Sequence, residues 1–95
     1  MKVEVGDVVS VVTAAGEFVG KLDGFDGDAV ILTKPRMLVM GENGGMGFAR
    51  GICMTGVENP ESATFHSVVF ITPTNKDIDD AWVQSTSGLK LAKSL

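Results

Sequence analysis

Few side chains in this 95-residue chain are of a type and spacing that could do chemistry. Lys34, Arg36 and Arg50 are the main cations of its middle region. Lysine and arginine hold phosphate oxygens, although a lone cation is ordinarily a solvated surface charge. Arg50 alternates with the apolar Phe48 and Ile52. In a regular strand it would be buried, so either Gly51 makes a bulge or Arg50 has a partner. Phe25 precedes the turn sequence Asp26-Gly27-Asp28. An aromatic ring there can stack on a base, with core packing as its ordinary role. Asp23, Asp26 and Asp28 lack calcium-loop spacing and read as turn-forming acids. His66 and Cys53 are the single histidine and cysteine. A nucleophile–base pair also needs a third, orienting group, so neither an enzyme nor a cofactor is expected. Gly41–Gly47 is glycine-rich, but no helix with Lys-Ser/Thr follows. It reads as a hairpin tip and not as a phosphate cradle.

Composition narrows the setting. The chain is 44% hydrophobic and 21% charged, a globular balance. Its length allows one domain with one modest core. A mean hydropathy of +0.23 is high for so short a soluble chain and points to self-association. Eight basic against twelve acidic residues give a net charge of −4, wrong for non-specific coating of nucleic acid. One cysteine excludes an intrachain disulfide and a cysteine-built zinc site, and fits a reducing compartment. No apolar run is long enough to span a membrane, and Met1–Asp7 interleaves charges with valines, unlike a signal peptide. The expected location is cytoplasmic.

The elements that must position these residues are mostly strands. Val8–Thr13 is largely β-branched. In Glu17–Phe25, Phe18, Gly20, Leu22 and Gly24 fall on one face, the pattern of a strand that bends over its own core. Ala29–Met40 reads as a long third strand with Pro35 at an edge or bulge. Asn43-Gly44 is a hairpin signal. Met46–Val57 reads as a fourth strand, bent at its glycines, and Thr64–Thr72 as a fifth. After Pro73 the pattern predicts a short helix from Lys76 to Ser85. Thr74 stands at the capping position, Asp77, Asp79 and Asp80 complement the helix dipole, and Ile78, Ala81 and Trp82 form the apolar stripe. Gly88 begins a tail, Leu89–Leu95. The expected architecture is all-β: five strands in a small barrel over residues 1–73, with a helix and tail over 74–95 in the same domain.

Val9-x-Val11, Gly16 and Gly20-Lys21-Leu22-Asp23-Gly24-Phe25-Asp26 resemble the first signature of the Sm-like (Sm/Lsm) family. That signature has alternating apolar residues, a turn glycine, G-x-L-x-G-x-D and an apolar stretch. The resemblance spans Val9–Leu32. Arg50-Gly51 supplies the Arg-Gly dipeptide of the second signature. Val30 stands where the family carries a base-reading asparagine on strand three, preceded by Asp28 and Ala29. The resemblance implies a strongly bent five-stranded SH3-like barrel. It also implies closed rings, usually of five to eight subunits, with strand four of one protomer paired to strand five of the next. Single-stranded RNA, or DNA, would bind around the pore or on one face. The nucleic-acid-binding residues would be Phe25, Asp28, Lys34, Arg36 and Arg50. With no strand-three asparagine, electrostatics should dominate over base selectivity, each cation being repeated around the ring. Phe48, Ile52, Phe65, Val68 and Phe70 would lie on apolar edge strands, an aggregation hazard unless a neighbouring protomer pairs them. The rival expectation is a structural or assembly ring with no nucleic-acid role.

Overall fold

A computed structural model describes residues 2–87. The tail Leu89–Leu95 lies outside the described residues. Six strands and one helix follow in order. β1 (Val8–Thr13) and β2 (Gly16–Asp26) form a hairpin closed by Thr13, whose Oγ1 accepts from Ala15 N–H and donates to the Gly16 carbonyl. β3 (Ala29–Met40) returns along β2 across Gly27-Asp28. Gly27 takes φ +61°, which glycine adopts without steric cost.

The β2–β3 ladder shifts register twice, between Val19 and Lys21 and between Leu22 and Gly24. At the first shift Val19 pairs Arg36 while Lys21 pairs Thr33, so Lys34 and Pro35 stand opposite Gly20 alone. Lys34 has φ +50° there. The proline thus falls in a bulge and costs no regular ladder bond, although β3 is an interior strand.

Two expected strands are redrawn. The fourth strand, expected over Met46–Val57, is only β4 (Met46–Phe48) on the end of β3. Gly51, Gly56 and Asn59-Pro60 follow within a few residues, and glycine and proline are poor ladder residues. The chain from 49 to 61 is an irregular loop. It is pinned where Ala49 N–H meets the Met37 carbonyl and Lys34 N–H meets the Glu61 carbonyl. The fifth strand, expected over Thr64–Thr72, is two elements. β5 (Ser62–Phe65) pairs β3, and β6 (Phe70–Pro73) pairs β1. Ser67, at φ +56°, breaks the run. A residue in that region cannot continue a strand, and the chain crosses there to the opposite edge of the sheet.

The sheet runs β4-β3-β2-β1-β6, with β5 also on β3. It is antiparallel throughout and does not close on itself. Its core is Val9, Val11, Leu22, Val30 and Leu32, with Val3, Phe65, Val68 and Ile71 packed against it. Phe18 and Phe65 meet with ring centroids 4.8 Å apart, tilted by 47°. Phe65 and Val68, expected as subunit contacts, therefore contribute to the protomer's own interior.

Helix α1 (Lys76–Thr86) appears within a residue of its expected bounds. Its cap is Asn75, one position after the expected Thr74, and Asn75 Oδ1 accepts from Ile78 N–H at 3.0 Å. Thr74 instead bonds Ser10 through its hydroxyl at 2.8 Å. Trp82 is buried, Ile78 half-buried and Ala81 exposed, so the inward face follows an i, i+4 line. Trp82 Nε1 donates to the Lys34 carbonyl at 2.9 Å. The helix is thereby fastened over the β3 bulge, and the indole satisfies a carbonyl that the irregular ladder leaves free. Trp82→Phe keeps most of the apolar contact and deletes this bond. A loss of about 1 kcal/mol is expected in urea unfolding. Unchanged stability would show that the bond contributes nothing net.

Candidate functional site

The end of the sheet at the β2–β3 turn carries an open cleft of about 520 Å³. Phe25, Gly27, Asp28 and Val30 line one side; Ser67, Val68, Phe70 and Ile71 line the other. The two sides meet because β6 returns beside β1 while β5 stays on β3, which places the Ser67 break against the β2–β3 turn. Val30 is 3% exposed and forms the floor. Phe25 and Phe70 are 54% and 53% exposed. Exposed aromatic faces beside an apolar floor make a surface on which a flat ring can stack. The charge nearby is negative: Asp23, Asp26 and Asp28 are all exposed. Among the described residues no group of three or more His, Cys, Asp or Glu side chains could hold a metal ion.

The expected site residues separate. Phe25 and Asp28 share the cleft, and Phe70, expected at a subunit interface, joins them. Lys34 sits four residues beyond Val30 on β3, roughly 13 Å away at the rise of a strand. Arg36 leaves the phosphate-binding set. It is 5% exposed, and its Nη1 donates to the carbonyls of Pro35 at 2.8 Å and Pro60 at 3.0 Å. Burial lowers the pKa of its guanidinium and the Glu61 carboxylate partly offsets this. The register explains the burial. Arg36 pairs Val19, which pairs Ser10, and Val19 and Ser10 are buried on the same face. That register depends on the bulge, which the sequence signals only through Pro35.

Arg50 is not a strand residue. It lies in the loop with its side chain 81% exposed, 3.7 Å from the Glu58 carboxylate. Neither the Gly51 bulge nor burial is needed to explain it. Phe48 and Ile52 are half-buried beside it. Gly27, Ser67 and Ile71 were not anticipated as site residues. Ser67 carried a signal, since with His66 it makes a polar pair that interrupts the apolar run between Phe65 and Val68. Among the described residues no helix is long and apolar enough to cross a membrane. No protein-family model, curated protein or solved structure matches the chain.

Proposed function

We propose that this protein is an Sm-like module that assembles into a ring through its sheet edges and binds single-stranded nucleic acid by stacking bases in the Phe25–Phe70 cleft. The observation that carries this reading is the pair of half-exposed aromatic rings lining one open cleft at the end of the sheet. The sheet supports the assembly. It ends in β6 on one side and in β4 and β5 on the other, and these edges present unpaired backbone groups. Pairing β6 of one protomer with β5 of the next joins the two sides of the sheet and leaves only the three-residue β4 edge unpaired. The five-stranded SH3-like barrel belongs to this reading, with β5 and β6 as the two edges that the ring would join.

Binding relies here on stacking more than on charge. Arg36 is committed to backbone carbonyls, Arg50 faces Glu58, and three aspartates surround the turn. Few phosphates are neutralised, so affinity should fall only shallowly with salt. The test is fluorescence anisotropy with labelled oligo-U, oligo-A and a mixed DNA strand at two salt concentrations. Weak to moderate binding is expected. Phe25→Ala should weaken it about tenfold, as for one lost base stack. Static light scattering should give a native mass that is a multiple of the chain mass, and a monomer at micromolar concentration would overturn the ring.

The net charge of −4 and the acidic rim favour a second reading, the same ring as a purely structural or assembly module. Absence of binding to all three oligonucleotides at low salt would select it.

A further inference from the structure

A second cleft, of about 330 Å³, lies between β1–β3 and the last turns of α1. Its floor is a cross-strand row. Val8 on β1 pairs Lys21 on β2, and Lys21 pairs Thr33 on β3. Lys34 follows Thr33, and Trp82, Val83, Thr86 and Ser87 form the roof. Two cations from adjacent strands thus meet in one cleft, between the Thr33 and Thr86 hydroxyls and an indole.

These lysines differ from the other cations near the sheet. Arg36 is held by carbonyls, Arg50 faces Glu58 and Lys76 pairs Asp80 at 3.3 Å on the outer side of α1. Among the described residues neither Lys21 nor Lys34 has an ion-pair partner. The φ of +50° at Lys34 and the Trp82 bond to its carbonyl fix the backbone from which that side chain projects. The α1 C-terminus adds negative partial charge. Its carbonyls at Trp82 and Val83 accept from the hydroxyls of Ser85 and Thr86.

We propose that this cleft binds a phosphate-class anion, gripped by Lys21 and Lys34 and bordered by the Thr33 hydroxyl. Paired ammonium groups beside the Thr33 hydroxyl match the charge and acceptors of a phosphate, either free or within a phosphodiester chain. The site does not depend on base stacking in the Phe25–Phe70 cleft, which lies at the end of the sheet and shares no lining residue with it.

Trp82 is the single tryptophan and lines the cleft, so its emission reports occupancy directly. Titration of the full chain with pyrophosphate, and separately with an abasic single-stranded phosphodiester, should give a saturable change in emission. Chloride at matched ionic strength should give none. A response to pyrophosphate identifies a free-phosphate site; a response to the phosphodiester alone identifies a backbone site. Lys21→Gln, at an exposed position, should weaken the responding ligand about tenfold, and Lys21→Arg should retain it. Lys34→Asn keeps a side chain that tolerates positive φ and should weaken binding likewise, with circular dichroism confirming its fold. No saturable response to either ligand overturns the site, as does a response that Lys21→Gln leaves unchanged.

Discussion

Arg36→Ala should be among the most damaging single changes in the protein. The guanidinium is buried and joins two segments distant in sequence, donating to Pro35 on β3 and to Pro60 at the end of the 49–61 loop. Removing it strands two carbonyls in a site where Pro35 and Pro60 are themselves buried. Each unsatisfied buried group costs about 1–3 kcal/mol, and the emptied volume adds a cavity term. A loss of roughly 3 kcal/mol is expected, which lowers Tm by more than about 10 °C in a domain of this size. Arg36→Lys should recover little, because a single ammonium on a flexible stem does not reproduce the planar guanidinium that serves both carbonyls. Arg50→Ala is the contrast. Its partner is exposed and 3.7 Å away, so the change should stay within about 0.5 kcal/mol. The Arg36 effect should not vary between pH 5 and 9. Burial lowers its pKa, but a guanidinium stays protonated over that range. Equal melting temperatures for Arg36→Ala and Arg50→Ala would show that the buried clamp has been misread.

The same arginine shows where the sequence was readable and where it was not. Local patterns carried far. The strand over Glu17–Phe25, the Asp-Gly turn, the bulge at Pro35 and the acidic first turn of α1 are properties of neighbouring residues, and each appears where its pattern places it, although the alternation on β2 fails at the buried Val19 and at the register shift after Leu22. Pairings between distant segments did not carry. An apolar run such as Thr64–Thr72 reads as one strand, because period-2 alternation says nothing about which neighbour a strand pairs with. Only the fold shows that its first half belongs to β3 and its second half to β1. Arg36 reads as a solvated cation for the same reason. Its burial needs a register shift, a covered second face and the Pro60 carbonyl, none of them local. The Phe25–Phe70 cleft was half legible. The turn that holds Phe25 and Asp28 is a sequence feature, whereas the arrival of Phe70 across from it follows from the strand exchange at Ser67. On an alternating strand Lys21 reads simply as an outward charge. Its meeting with Lys34 depends on the cross-strand row and on the helix laid over it.

Gly20→Val should be comparably severe, and the reason is steric. A Cβ at position 20 would sit 3.1 Å from Leu32 Cβ, 3.1 Å from the Thr33 carbonyl oxygen and 3.2 Å from Leu32 Cδ1. Leu32 is fully buried and the carbonyl belongs to the backbone of an interior strand, so neither can step aside. Position 20 is also where β2 faces the two bulged residues Lys34 and Pro35, and the missing side chain allows the strands to approach there. Alanine alone should cost about 1–2 kcal/mol through local displacement. Valine adds two γ-methyls to a position with no free volume and should cost roughly 3 kcal/mol or more. Gly24 is the internal control on the same strand. Nothing lies within 4 Å of a Cβ there, and its φ is not in the left-handed region. Gly24→Ala should therefore be neutral or slightly stabilising, since it reduces the freedom of the unfolded chain. Thermal melts should rank the proteins as Gly24→Ala at or above wild type, then Gly20→Ala, then Gly20→Val. A Gly20→Val protein that melts with the wild type would mean that β2 and β3 do not approach closely at that bulge, and the register that buries Arg36 would then also be wrong.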